Sequence, residues 1–266
     1  KIEVEADAGA TANFEMESDP LILTETSKKV VVRVSKEEFV DQVFTLFLSK
    51  RAEGAVSEIV NGTKKEYQVG STGVSFNMVS IAPVENVTLG SVARLDNKPH
   101  IVSLSAYQIS ETEVTQKLYK TVTGENPSFF TEDKKVAEDE QDLRPVEQVN
   151  WYKAVAFCNM LTLKIESLKD ELVYYSDPNF TKAYTKDDAK NKLDAFANWN
   201  KKGFRLPTEA EWEVAAKAKD DNAIYSGAKG ASDDELKEVA WMGLNSENRT
   251  HEVGKKKANA YGIFDM

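Results

Sequence analysis

A single cysteine, Cys158, stands in 266 residues. No intrachain disulfide, Cys-x-x-Cys pair or thiolate zinc cluster can staple such a chain, so its fold must rest on packing and hydrogen bonding. The two histidines, His100 and His251, do not have the His-Glu-x-x-His spacing of a zinc hydrolase, and no glycine pattern matches a Walker A or dinucleotide loop. Hydrophobic residues make up 41%, close to the ordinary globular level once glycine is added, so a sizeable core is within reach. Lys plus Arg number 34 against 44 Asp plus Glu, a net charge of −10 that repels nucleic acid and anionic membrane. No apolar stretch approaches the ~20 residues of a transmembrane helix. The length fits one large domain or two modest ones. Because the sequence opens on Lys1 rather than Met, any secretion signal has been removed or never recorded, and its absence says nothing about the compartment.

Residues 1–70 read as a small β-rich module in which runs such as Val30-Val31-Val32 alternate with acidic, Ser/Thr-rich stretches. Ser35 to Glu38 fits a capping box, predicting a short helix that buries Phe39, Val43 and Phe47, yet Val43 to Leu48 reads equally as a strand. Residues 56–60 and 63–69 around Asn61-Gly62 predict a hairpin, because Asn-Gly tolerates the positive φ of a type I′ turn. Gln68 to Gly73 is small and polar with two glycines. That composition predicts a linker, with the second domain spanning 74–266. The acidic run Thr131 to Asp142 follows no metal-loop spacing and reads as a solvated loop.

Past the linker, Phe76 to Ile81 reads as a strand and Val102 to Ile109 alternates as a second. Thr115 is the expected cap of a helix carrying Leu118, Tyr119 and Val122 and ending at Gly124. Asn150 is the expected cap of one carrying Trp151, Ala154, Cys158 and Leu161. After Pro207, Thr208-Glu209-Ala210-Glu211 is a capping box, and Trp212, Ala215 and Ala216 give that helix its apolar face. His100 and His251 fall in expected loops, outside any motif that pairs them with a nucleophile. Asn61, Asn86, Asn179 and Asn248 each open an Asn-x-Thr triplet, a pattern that matters only in a eukaryotic secretory context.

Several longer strings follow one another in a definite order: Glu111-Thr112-Glu113-Val114-Thr115, Gly124-Glu125-Asn126-Pro127-Ser128-Phe129-Phe130, Arg144-Pro145-Val146 and Val149-Asn150-Trp151. They lead to Gly203-Phe204-Arg205-Leu206-Pro207-Thr208-Glu209-Ala210-Glu211-Trp212-Glu213 and finally to Tyr261-Gly262-Ile263-Phe264-Asp265-Met266. From about Phe76 to Met266 this succession resembles the formylglycine-generating enzyme, or sulfatase-modifying factor, family. The resemblance implies an α+β, C-type-lectin-like domain with two principal helices, small twisted sheets and long loops, here preceded by the β-rich module. It also implies that the catalytic cysteine pair of the active enzymes, which holds copper on two thiolates, lies beyond the point where this sequence stops. No catalytic residue carries over, and no cofactor is expected.

Cys158 falls at core spacing and reads as a packed, small apolar side chain. The family's calcium ligands are implied to lie largely outside this sequence. Asn245 is a possible remnant, but Asn-Ser in a loop more simply bonds its own backbone, so no metal is expected. Arg205, Glu209 and Glu213 read as structural charges, Glu209 favouring the helix dipole from the first turn. Of the four tryptophans, Trp151 and Trp212 are expected in the core, and Trp241 rather than Trp199 is the expected surface aromatic. Trp241 and Asn245 are therefore the candidate ligand-binding residues. The expected function is a non-catalytic, lectin-like scaffold on a bacterial surface or in the periplasm. It would recognise a protein or glycan ligand, as in variable proteins diversified by retroelements. The alternative is the N-terminal part of a formylglycine-generating oxidase or a related sulfur-chemistry enzyme.

Overall fold

Runs of β-branched residues near the N-terminus form three antiparallel strands, β1 (Ala10–Met16), β2 (Lys28–Lys36) and β3 (Gln42–Leu48), in the order β1-β2-β3. Phe44 pairs with Val32 and Leu46 with Val30, so the strand alternative holds for this segment. Ser35 caps no helix because it lies inside β2. The computed structural model describes residues 10–16, 28–36, 42–48, 59–92, 97–131, 140–220, 223, 225–228 and 230–266. By its internal contacts the chain divides into two units, Lys1–Glu58 and Ile59–Met266.

The second unit opens with β4 (Lys64–Gln68), β5 (Ser75–Ile81), β6 (Val84–Leu89), β7 (His100–Leu104) and β8 (Tyr107–Ser110). They make one sheet in the order β4-β5-β8 and a separate β6-β7 pair. The expected linker is the turn between β4 and β5: Val69 N–H donates to Val74 O at 2.8 Å and Thr72 N–H to Val69 O at 3.2 Å. Small polar residues with glycine suit a hairpin turn and a linker alike, and only the partner strand tells them apart. The division consequently falls at 58/59 rather than at 70. Asn61-Gly62 does form a turn, closed by Thr63 N–H to Val60 O at 3.2 Å, but β4 pairs with β5. Of the predicted first hairpin arm, 56–58 lie outside the described residues and 59–60 form no strand. The strand expected over 102–109 breaks at Ser105–Ala106 into β7 and β8, which join different sheets. His100 begins β7 instead of lying in a loop.

The helices start where their caps dictate. In α1 (Gln116–Thr123) the Thr115 hydroxyl accepts the Leu118 N–H at 3.1 Å, and Gly124, at φ 80°, ends the helix in a conformation that costs glycine little. In α2 (Trp151–Lys164) Asn150 Oδ1 accepts the Lys153 N–H at 3.0 Å. A two-residue strand β9 (Tyr174–Tyr175), α3 (Lys186–Lys190) and β10 (Phe196–Ala197) follow, β9 pairing with β10. At α4 (Glu209–Lys217) the box is reciprocal: Thr208 Oγ1 accepts the Glu211 N–H at 3.2 Å, and the Glu211 carboxylate accepts the Thr208 N–H at 2.9 Å. The last helix is α5 (Asp233–Val239).

One apolar cluster joins α1 and α2 through Leu118, Val122, Phe157 and Leu161, with Tyr119 stacked on Phe157 at 5.1 Å. A second joins β5 to α4 through Val79, Ile81, Val214 and Ala215, with Ile263. Mid-helix Asn159, 2% exposed, ties β9 to α2. Its Nδ2 donates to Tyr174 O at 2.7 Å and Tyr184 O at 3.0 Å, while its Oδ1 accepts the Tyr174 N–H at 3.1 Å. Gly203 sits where an added Cβ would lie 2.2 Å from Glu171 O and 2.7 Å from Thr162 Cγ2. That close approach lets Phe204 N–H reach Thr162 Oγ1 at 2.9 Å. Trp151 and Trp212 are not core residues: they are 51% and 46% exposed. The buried positions of α4 are Glu211, Val214, Ala215 and Ala216, so the helical period leaves Trp212 at the flank.

Candidate functional site

Tyr67, Phe76 and Phe204 meet with ring centroids 5.3 to 5.7 Å apart, and they line an open cavity of about 570 Å³ in the second unit. The strand β8 runs along it, α2 contributes Phe157, Cys158 and Leu161, and the α4 region contributes Arg205, Glu211 and Trp212. A cavity of this size falls within the range of small-molecule pockets, roughly 300–1,000 Å³.

Its polar lining is largely self-satisfied. Arg205 grips Glu211 with two bonds, Nη1 to Oε2 at 2.7 Å and Nη2 to Oε1 at 2.5 Å. Burial works against the Glu211 carboxylate, but the bonds from Arg205 and Thr208 outweigh it and hold the group below the usual carboxylate range. The Tyr107 hydroxyl donates to Glu211 O at 2.6 Å, and burial, with the Glu211 charge behind it, raises its pKa. Cys158 is 6% exposed, and burial pushes its thiol up to about 12. Such a thiol stays protonated at neutral pH and is a poor nucleophile. Glu113 is pushed up to about 7 by burial and then by the charge of Asp265. Glu113 remains exposed along one side, where water screens the effect. Burial also raises Asp265, opposed by the Gly254 N–H at 2.6 Å and by Lys256. The lining thus pairs no activated nucleophile with a base.

The expected ligand residues lie elsewhere: the Trp241 ring and the Asn245 amide are already engaged, while the buried Trp241 Nε1 has no hydrogen-bond partner among the described residues. Trp241 stacks on His251 at 3.8 Å, and Lys256 Nζ stands 3.7 Å from the same ring centroid. Two groups under 4 Å from one centroid cannot share a face, so both faces of the indole are covered. Asn245 accepts the Met242 N–H at 2.7 Å and donates to Ala240 O at 3.1 Å and Lys237 O at 3.3 Å. It bonds its own loop, as the turn reading expects. Trp199, not Trp241, is the open aromatic: it is 62% exposed, with the Arg205 guanidinium carbon 4.8 Å from its ring centroid. Glu209 is exposed in the first turn of α4. Glu213 accepts the Gly90 N–H at 2.8 Å and bonds Lys217 at 3.1 Å. Sequence reasoning missed Glu211 as the Arg205 partner, although its place three residues after Thr208 marked it as the inward carboxylate of the box.

The sulfatase-modifying factor enzyme 1-like domain pattern matches residues 72–266. This chain belongs to the sulfatase-modifying factor family. The sulfatase-modifying factor domain is similar to the solved structure of Treponema denticola variable protein 1, with 44% identity and a TM-score of 0.64 over 76% of this chain and 72% of that one. It also resembles the chaperone protein LppX of Paenibacillus barcinonensis, 37% identical over 189 residues, 62% of this chain. The chain spans 60% of that relative's length. The domain is α+β with the C-type-lectin-like fold of its family. A two-thiolate copper centre, which the resemblance implies for the family's enzymes, does not fit these residues: the one cysteine is packed in the core. Among the described residues no group of three or more His, Cys, Asp or Glu is placed to hold a metal ion. Nor, among them, is any helix long and apolar enough to cross a membrane.

Proposed function

We propose that this domain is a non-catalytic binding scaffold of the bacterial envelope or cell surface that recognises a protein or glycan ligand. The observation that carries the reading is the 44% identity to a protein named for its variability, extending over 76% of the chain. LppX, another similar protein, is named a chaperone protein. Cys158, packed in the core, is a copper ligand in neither reading. In this proposal the ligand contacts are exposed aromatics rather than Trp241 and Asn245, with Trp199 foremost because Arg205 backs the indole and leaves it 62% exposed. Aromatic side chains anchor recognition surfaces at low cost in conformational entropy. Diversification by a retroelement belongs to the same reading.

The test is binding of the purified native protein to arrays of glycans and of folded proteins, repeated with Trp199→Ala. Saturable binding that weakens about tenfold in the variant, the loss of one hot-spot contact, supports the reading. Conversion of a cysteine peptide to formylglycine, with oxygen consumption, by the copper-loaded native protein would overturn it in favour of the oxidase.

A further inference from the structure

Trp199 and Asn200 form the tip of a turn that follows β10. The Lys201 N–H donates to Asn198 O at 3.1 Å across it, and Asn198 Oδ1 accepts the Asn200 N–H at 3.1 Å. Beyond the tip the chain is tied again: Lys201 Nζ reaches Asp170 O at 2.9 Å, and the Lys202 N–H donates to Glu171 Oε2 at 2.9 Å. The Arg205 guanidinium lies over the indole, itself clamped by both oxygens of Glu211. The ring is therefore backed on one face, and its exposed area is chiefly the other. A ligand arriving there has little of the turn left to order, which lowers the entropic cost of binding. The remaining groups of the turn are polar. Among the described residues, neither the Asn200 amide nor the Lys202 ammonium, both exposed, has a hydrogen-bond partner, and Asn198 Nδ2 donates to nothing.

That setting chooses between the two ligand classes of the proposed scaffold, a reading on which this inference rests. A protein hot spot seats its aromatic anchor in a surround that excludes water, and lysine is depleted from such patches. Trp199 is flanked instead by amides and, two and three residues on, by ammonium groups. A flat aromatic face bordered by hydrogen-bonding groups matches a sugar ring. The electron-rich face of the indole attracts the C–H groups on one side of a pyranose, while the hydroxyls around its rim need donors and acceptors beside the platform. We propose that Trp199 is the platform of a pyranose-binding site. The open indole face stacks on the C–H face of the sugar, the Asn200 and Asn198 amides bond its hydroxyls, and Lys202 donates to a further hydroxyl. The ligand class is then glycan, and Arg205 takes part only by holding the platform in place.

An array of pyranose oligosaccharides (fragments of α- and β-glucans, chitin, galactan and uronans), printed beside folded proteins and probed with the native protein, tests the proposal. Saturable glycan binding is expected. It should weaken about tenfold in Trp199→Ala, persist in Trp199→Tyr, which keeps a flat ring, and weaken about fivefold in Asn200→Ala, which loses one hydrogen bond. In NMR spectra of the bound oligosaccharide the C–H protons of the stacked sugar should move upfield in the indole ring current, and that shift should vanish in Trp199→Ala. Both substituted positions are exposed, so the variants should keep the native urea midpoint. Binding to folded proteins alone would overturn the pyranose assignment and leave the scaffold reading standing, whereas binding to neither class would remove both. Glycan binding that Trp199→Ala or Asn200→Ala leaves unchanged would overturn the site.

Discussion

Replacing Asn159 with alanine removes a side chain that serves as a strand partner from within a helix. Asn159 is 2% exposed and makes three bonds to the backbone of Tyr174 and Tyr184. The Tyr174 carbonyl keeps a partner in the substitution, because the Tyr184 N–H also donates to it at 2.9 Å. The Tyr174 N–H and the Tyr184 carbonyl lose theirs, at a position where the side chain is 2% exposed. At roughly 1–3 kcal/mol for each orphaned buried group, the expected loss is about 3 kcal/mol. For a unit of this size that lowers Tm by roughly 6–12 °C. Urea unfolding followed by tryptophan fluorescence should show a lower midpoint with an unchanged m-value. Asn159→Asp keeps the shape but turns an oxygen toward the two carbonyls, so at neutral pH its loss should equal or exceed that of alanine and shrink once the carboxyl protonates. A loss below about 1 kcal/mol in the alanine variant would refute the claim that these bonds are buried and unreplaced.

Trp212→Ala should cost less than about 2 kcal/mol in urea unfolding, since a half-exposed indole leaves no closed cavity; a loss of 3–5 kcal/mol, the range for a buried Trp, would return it to the core. Cys158 should react with iodoacetamide only in denaturant, because burial keeps its thiol protonated at neutral pH; rapid labelling of the native protein would contradict the packed position. Glu211 is held below its unfolded pKa, near 4.5. Its contribution to stability is therefore present above about pH 4.5 and lost as pH falls through the lower, folded value. Glu211→Gln should flatten that acid-side decline in urea midpoints, and an identical decline in both proteins would show that the carboxylate is not so held.

The carboxylate partner of Arg205 shows where local reading stops. Thr208 and Glu211 form a box across three residues, which a sequence can state by itself, but that the same Glu211 carboxylate also receives both Arg205 Nη atoms depends on how the chain before the helix is placed against its first turn. Tryptophan placement fails for a related reason. A helix beginning is a local fact, whereas the face it buries depends on which neighbours arrive, and at α4 they arrive over Val214 and Ala215 rather than Trp212. The Trp241 ring reads as open in its own stretch of sequence, whereas in the fold His251 and Lys256, ten and fifteen residues on, lie against it.

What the sequence determined by itself was local or combinatorial. The caps at Thr115, Asn150 and Thr208 and the stop at Gly124 depend on bonds within a few residues. The exclusion of disulfides depends on one count, and the family on an ordered set of motifs. The tertiary structure alone decided that β4 pairs across Gly70–Gly73 and not across Asn61-Gly62, and that 102–109 serves two sheets. Each of these is a choice of partner between segments that satisfy their own local preferences equally well. Strand pairing is settled by which distant edge and apolar face are available, and no window of neighbouring residues contains that information.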